Sequence, residues 1–299
     1  MGWWRRDEVG RLRQDYLALD AGGDAAGAER LARLLVEQHP DDGATWFNLG
    51  LYAKARRDWR ESLRCNARAL ALATRTRDEP AAWNLGIAAT ALGEWDEARR
   101  AWRAYGVDVP DGTGPVELPL GHVPVRLNPD DDGSGGPAAE VVWARRLSPA
   151  HVEVVSVPTP PSGHRFGDVL LVDGVPDGER FDGRRWVPVF DEIAVLARST
   201  VPTWTADVVA PSDDCTAALQ EAAAAAGIEA QDWTATVRRL CVACSTGRPG
   251  PGHDHDEPDA WSPERTLGLS GTATGVRALL DGWARGRPGR TVTSVTEID

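Results

Sequence analysis

Apolar residues change their spacing twice along the chain, and these changes divide it into three regions. Up to about residue 110 they follow a helical pattern, as in LARLLVEQ and DEARRAWRAYG. Between residues 116 and 198 they form short β-type runs, such as AEVVWARRL and GDVLLVDG, which Gly, Pro and Asp separate. From residue 199 strand-like and helix-like segments alternate. We therefore predict helical hairpins over residues 8–110, a small antiparallel β unit over 116–198 and an α+β domain over 199–299.

The alternation in the last region has a recognisable order. TWTADVVA is typical of a strand, and SDDCTAALQEAAAAAG of a helix that begins at Ser212 or Asp213 and ends at Gly227. RTLGLSG, TATGVRALLDGWARG and RTVTSVTEI then predict a strand, a helix and a strand, whereas IEAQDWTATVRRLC fits either type. Two strand–helix–strand units indicate a two-layer α/β sandwich of ferredoxin-like type.

Two helical stretches repeat one another. Aligning Leu49-Gly50 with Leu85-Gly86 sets the two copies 36 residues apart, and each copy then has Asn before the Leu-Gly pair. A weaker copy precedes them in DAGGDAAGAERLARLLVEQHPDD. Because one such helix pair cannot bury its apolar face alone, about three pairs are expected to stack.

These motifs resemble the tetratricopeptide repeat, in which W-x2-L-G-x2-Y is followed by Ala, an aromatic residue, Ala and Pro. The resemblance covers residues 8–108; it departs from the pattern in the degenerate first copy, at Ser62 and at Tyr105. It implies Gly or Ala where two antiparallel helices approach closely. The matching residues are Trp46, Leu49, Gly50, Ala69 and Leu70 in one copy, and Leu85, Gly86, Gly93, Ala98 and Trp102 in the next.

The resemblance also implies a groove, lined by the first helix of each pair, that holds an extended protein or peptide segment. Asn48 and Asn84 would hydrogen-bond the peptide backbone there. The same residues could instead pack against the C-terminal part of the chain, so intramolecular docking stays open as well. The predicted groove residues are Phe47, Asn48, Lys54, Trp83, Asn84 and Thr90.

The stretch CVACSTGRPGPGHDHDEP holds a possible metal site. Cys241 and Cys244 have the spacing of a zinc knuckle, and His253 and His255 can point to the same side of an extended segment. Two thiolates and two imidazoles favour Zn²⁺ over Mg²⁺ or Ca²⁺. Four protein ligands and the absence of an H-E-x-x-H motif predict a structural zinc ion that orders this Gly- and Pro-rich loop.

Three other interpretations of this stretch stay open. The two cysteines could form a redox pair, although no thioredoxin-like context surrounds them. The segment could also be a solvated polar loop without a metal. In the third interpretation zinc is kept, but one histidine is replaced as ligand by Asp254, Asp256 or Cys215.

A second candidate for chemistry is His164, which lies four residues before Asp168. Together with Asp191 and Glu192 these residues could form an acid–base pair. The competing interpretation is a turn, capped by Asp168, that leads into the strand DVLLVDG. The sequence contains no phosphate-binding glycine loop and no G-x-S-x-G elbow.

Charge narrows the choice of partners. The net charge of −12 arises within residues 111–299, so a nucleic acid is a poor partner.

No apolar run is long enough for a membrane helix, and the N-terminal residues lack the apolar core of a signal peptide, which predicts a cytoplasmic protein. The excess of Arg over Lys is typical of a GC-rich bacterial genome.

The sequence therefore favours a non-catalytic interaction or adaptor protein with tetratricopeptide-like repeats and a structural zinc site. The alternative is a zinc-dependent hydrolase-type enzyme whose metal is partly open. In that enzyme His164, Asp168 or Glu257 would act as the base.

Overall fold

The computed structural model describes residues 2–131, 134–182, 184–235 and 261–298. The chain forms two compact units, Met1–Leu118 and Pro119–Asp299. None of the helices in the described ranges is both long and apolar enough to cross a membrane.

The first unit consists of helices that pair into three consecutive antiparallel hairpins. This is the arrangement that the tetratricopeptide resemblance predicts. The helices are α1 (Gly2–Ala21), α2 (Ala25–Gln38), α3 (Gly43–Ala55), α4 (Trp59–Leu72), α5 (Pro80–Leu92) and α6 (Trp95–Tyr105).

Local sequence signals explain where these helices begin and end. Asp24, Asp42 and Asp58 precede α2, α3 and α4, and each carboxylate accepts a hydrogen bond from the backbone N–H three residues further on. Helix α5 begins with Pro80, whose missing N–H costs nothing at that position, and it ends at Gly93 with a φ of 69°. The helix boundaries are thus encoded within a few residues of each turn.

The Leu-Gly pairs mark close contacts between the two helices of the second and third hairpins. A Cβ atom on Gly86 would lie 2.6 Å from the ring of Trp102, and one on Gly50 would lie 2.4 Å from the side chain of Asn66. Trp102 is completely buried. Small residues therefore stand at these positions because the partner side chain fills the space, as the repeat pattern implies.

An extended segment packs against the last helix of the array. Arg99, which is buried in α6, donates hydrogen bonds to the carbonyl oxygens of Pro110, Gly114 and Pro115 at 3.3, 2.6 and 3.2 Å. Val109 and Val116 of the same segment are buried. The segment thus covers part of α6, the helix on which a further hairpin would stack.

The second unit begins with a small closed barrel. Strands β1, β2, β3, β4 and β7 form the barrel in that order, and β5 and β6 form a separate hairpin. Alternate residues of the barrel strands, such as Val125 and Leu127, fill its core. The strands are β1 (His122–Leu127), β2 (Glu140–Arg146), β3 (His151–Val154), β4 (Val169–Val172), β5 (Glu179–Phe181), β6 (Trp186–Pro188) and β7 (Phe190–Ala197).

One strand pair departs from the purely antiparallel unit that the sequence predicts. β1 and β7 run parallel, with Val125 opposite Phe190 and Arg126 opposite Asp191. The other neighbouring pairs of the barrel are antiparallel. When five strands alternate in direction around a closed ring, the first and last must point the same way, so closure itself requires one parallel pair.

A four-stranded sheet with two helices completes the second unit. The strand order is β11, β8, β10, β9, and all the pairs are antiparallel. Because β10 lies between β8 and β9, the unit β8–α7–β9 is a split β-α-β motif, and β10–α8–β11 is the second strand–helix–strand unit. The elements are β8 (Thr203–Val209), α7 (Asp213–Ala225), β9 (Glu229–Asp232), β10 (Glu264–Ser270), α8 (Ala273–Arg285) and β11 (Thr291–Ile298).

The helices pack on the sheet through one apolar core. Leu219 of α7 and Leu280 of α8 meet the inward residues Ala206 and Leu269 of the sheet. Trp233 joins the barrel to the sheet within this unit, because its indole N–H donates to the carbonyl oxygen of Val157 at 2.9 Å. The segment IEAQDWTATVRRLC, whose sequence fits either a strand or a helix, contributes strand β9 at its beginning.

Candidate functional site

Polar side chains link the first helices of neighbouring hairpins. Asn48 of α3 donates from Nδ2 to the hydroxyl of Tyr16 in α1 at 2.7 Å. Tyr52, one turn further along α3, donates to Asp20 of α1 at 2.5 Å. Burial and the neighbouring Asp20 carboxylate raise the pKa of Tyr52 well above its usual range, so the phenol stays a donor.

A similar contact links α3 to α5. Lys54 donates from Nζ to Oδ1 of Asn84 at 3.0 Å, and Nδ2 of Asn84 donates to the carbonyl oxygen of Pro80 at 3.2 Å. We call these contacts between α1, α3 and α5 the polar ladder; its side chains are those of Tyr16, Asp20, Asn48, Tyr52, Lys54 and Asn84. Three of the six predicted groove residues, Asn48, Lys54 and Asn84, therefore take part in these contacts.

The other predicted groove residues lie in different surroundings. Trp83 packs inside the third hairpin, with its ring centroid 5.2 Å from that of Trp102 and 4.8 Å from that of Tyr105. Thr90 is buried and donates to the carbonyl oxygen of Gly86 at 2.8 Å, which leaves it almost no surface for a ligand. Phe47 is half-buried on α3.

The ladder sets limits on what the asparagines can do. Oδ1 and Nδ2 of Asn84 each already have a partner, Lys54 and Pro80, and the residue is 6% exposed, so it offers little surface to a peptide. Nδ2 of Asn48 donates to the hydroxyl of Tyr16, and Oδ1 of Asn48 is the atom suited to accept a backbone N–H. The Lys54 ammonium has three donors and can bind a ligand oxygen while it keeps Asn84.

Three partners in the ladder were not recognised in the sequence: Tyr16, Asp20 and Tyr52. A signal existed for two of them, because Tyr16 and Tyr52 are separated by the same 36 residues as the two well-matched copies. The degenerate Leu-Gly position of the first copy hid this correspondence.

His164 and Asp168 form an ionic cluster in the second unit. His164 Nε2 lies 3.1 Å from Glu192 Oε2, and Nδ1 lies 3.4 Å from Asp168 Oδ2. Asp168 is fully buried and accepts hydrogen bonds from the backbone N–H groups of Arg165 and Ser199, at 3.1 and 2.8 Å, and from Arg198 at 2.9 Å. Asp168 therefore caps the turn and binds its cationic neighbours.

The protonation of this cluster does not suit a general base. Burial lowers the pKa of His164, but the carboxylates of Asp168 and Glu192 outweigh it and raise the pKa to about 9. The imidazole is therefore protonated at neutral pH, with no free nitrogen to accept a proton. Burial raises the pKa of Asp168, but His164 and the backbone N–H donors outweigh it and keep that pKa low. The structure thus favours the turn and not the acid–base pair.

The predicted metal ligands Cys241, Cys244, His253 and His255 lie outside the described residues, as do Asp254, Asp256 and Glu257. Among the residues that are described, no group of three or more His, Cys, Asp or Glu side chains could hold a metal ion. Cys65 and Cys215 are described, and both are free and buried.

No protein-family model matches this sequence, and no curated protein matches it. Solved structures align with the N-terminal third of the chain. They include the CopN–Scc3 complex, with 18% identity, a TM-score of 0.30 and coverage of 33% of this chain. The MamA protein has 20% identity, a TM-score of 0.30 and 32% coverage, and the TPR2B-domain–pHsp70 complex of yeast Sti1 has 15%, 0.27 and 32%.

The chain spans 57% and 52% of the first two of these structures, and 76% of the third. The assignment to the repeat type is therefore carried by the helices themselves. Three hairpins, two of which share a Leu-Gly contact 36 residues apart, give the N-terminal third the arrangement of tetratricopeptide repeats.

Proposed function

We propose that this chain is a non-catalytic interaction protein whose helical repeats bind an extended segment of another protein. The observation that supports this is the polar ladder, which runs across α1, α3 and α5. An extended segment carries one backbone donor and one acceptor per residue, and a row of amide, phenol and ammonium groups can pair with both.

Within this proposal, the ladder residues have different parts. The Asn48 oxygen accepts a backbone N–H of the bound segment, and Lys54 donates to one of its carbonyl oxygens. Asn84 holds the Lys54 ammonium in place at 3.0 Å and thereby orients it. Trp83 and Thr90 support the third hairpin from within and do not meet the ligand.

The experiment compares wild type with the double variant Asn48→Ala/Asn84→Ala as bait in a bacterial lysate. Proteins that wild type retains are identified, purified and titrated against both forms. We expect the double variant to bind such a partner at least ~10-fold more weakly, because the hydrogen bond of Asn48, about 1 kcal/mol, is lost and Lys54 loses the contact that orients it.

The control is Arg100→Gln, which removes an exposed cation of α6 that pairs with Glu97 and lies outside the ladder. It should bind the partner as wild type does. Thermal unfolding of all three forms shows whether the array is intact. Equal affinity of wild type and a folded double variant would refute the groove.

We also propose that zinc orders the loop of residues 241–255 in the second unit. The proposal rests on the spacing of Cys241, Cys244, His253 and His255. When bound, the ion would take two thiolates and two imidazoles, a closed shell that gives stability and leaves no position for a substrate.

A further inference from the structure

A cavity of about 280 Å³ lies in the second unit, apart from the helical repeats. It is formed by the turn before β4, the residues after β7, and the outer ends of β8 and β11. Its lining residues are Pro158, Pro160, Gly163, His164, Arg165, Arg198, Ser199, Thr203 and Ile298.

The lining carries basic side chains and no carboxylate. His164, Arg165 and Arg198 supply three cationic groups, whereas Asp168 and Glu192 lie beside His164 and do not line the cavity. Glu140, which also interacts with His164, has Arg180 as a neighbour, so four cationic groups and three carboxylates leave the surroundings of the cavity with one net positive charge. This contrasts with the negative charge of residues 111–299, so the cavity is locally suited to an anion.

Arg165 is the cation of this cluster whose whole guanidinium remains available among the described residues. Nη1 of Arg198 is engaged with Asp168 and with the carbonyl oxygen of Gly163, both at 2.9 Å. His164 is held by Glu192 and Asp168. The guanidinium of Arg165, in contrast, has no hydrogen bond or ion pair with any described residue, although its backbone N–H is fixed to Asp168 at 3.1 Å.

A buried hydroxyl on the wall of the cavity also lacks a partner. Thr203, which begins β8, is 3% exposed, and its Oγ1 makes no hydrogen bond within the described part of the chain. Buried hydroxyl groups are normally satisfied, so an unpaired one beside a cavity indicates a missing partner. Pro158, Pro160 and Ile298 add apolar surface to the same wall.

We propose that this cavity binds a small organic monocarboxylate. The planar guanidinium of Arg165 matches a carboxylate with two parallel hydrogen bonds. Pro158, Pro160 and Ile298 contact a short apolar chain attached to it. A single negative charge balances the net charge of the cluster, whereas a phosphate dianion would leave it negative.

The experiment titrates the full chain with sodium butyrate and follows backbone amide signals by NMR. We expect saturable shifts for signals of the lining residues. Arg165→Gln should weaken the affinity at least ~10-fold, because one charge-assisted pair is lost. The matched control is Arg145→Gln, which changes an exposed arginine of β2 that pairs with Glu153 of β3. It should bind butyrate as wild type does.

Two further ligands show whether binding depends on the negative charge, on the apolar chain or on both. Inorganic phosphate should bind more weakly than butyrate, and n-butylamine, with the same chain and the opposite charge, should not bind. Tighter binding of phosphate, equal binding of butylamine, or equal affinity of wild type and a folded Arg165→Gln variant would overturn the proposal. So would the absence of saturable shifts with butyrate. None of these outcomes bears on the repeats, because every variant lies in the second unit.

Discussion

At the scale of single residues, two histidines show how neighbours decide the chemistry of one side-chain type. His151 is buried in the barrel, and burial lowers its pKa to about 4, so it is neutral. Its Nδ1 lies 2.6 Å from the hydroxyl of Ser148. His164 is also buried, but two carboxylates hold it as an imidazolium. The sequence placed Asp168 near His164, but it predicted neither protonation state, because burial and the contact with Glu192 arise only through folding.

The charged state of His164 predicts a loss of stability on the alkaline side. The pKa of His164 is about 9 in the folded chain and about 6.5 when unfolded, so the folded state holds the proton more tightly. Its contribution is complete below pH ~6.5 and is lost as the pH rises towards ~9. Between these values we expect the unfolding free energy of wild type to fall by roughly 3 kcal/mol relative to His164→Gln.

Urea unfolding at both pH values measures this difference. His122→Gln, at an exposed position that begins β1, is the control and should keep the pH dependence of wild type. The same pH dependence in wild type and His164→Gln would show that Asp168 and Glu192 do not raise the pKa of His164.

At the scale of elements, the repeats were the part most open to prediction. Their caps, their Leu-Gly contacts and their 36-residue period depend on residues close together in the chain. The barrel closes through pairs such as Val125 and Phe190, which are far apart in sequence, and its parallel pair was therefore missed. Short strands were recognisable, but their partners were not, since strand pairing leaves little local signal.

The Leu-Gly contact predicts a large effect of one methyl group. In Gly86→Ala the new Cβ would lie 2.6 Å from the Trp102 ring, which is buried and cannot withdraw. We expect the unfolding free energy to drop by about 2–3 kcal/mol, the usual cost of overpacking.

Gly10→Ala is a matched control, because this glycine also lies within a helix but has open space around its Cβ position. There alanine should stabilise the chain by up to ~1 kcal/mol through helix propensity. Chemical denaturation compares the two variants. A neutral or stabilising Gly86→Ala would contradict the close packing of α5 on α6.

At the scale of the whole molecule, each unit has its own candidate for binding. The first unit presents the polar ladder for an extended protein segment. The second presents a cationic cavity in a region of negative charge, and its sequence contains the predicted zinc ligands. Because the two candidate sites lie on separate units, variants in one unit can be tested without changing the other.

The zinc site predicts the metal content of the purified chain. Wild type should carry one zinc ion per chain, and Cys241→Ser should lose it, because a tetrahedral site rarely survives the loss of one thiolate. The control is Cys65→Ser, which removes a buried thiol within α4. Elemental analysis measures all three forms. Equal zinc in wild type and Cys241→Ser would exclude this ligand set.

The sequence by itself determined the helical hairpins, their small-residue contacts and the succession of strands and helices. Each of these follows from residues that act on neighbours within one turn, one hairpin or one repeat. Only the tertiary structure decided the parallel closure of the barrel, the engagement of Asn84 by Lys54 and the ionic surroundings of His164. These depend mainly on residues far apart in the chain, such as Lys54 and Asn84 or His164 and Glu192, which meet only when folding brings their elements together.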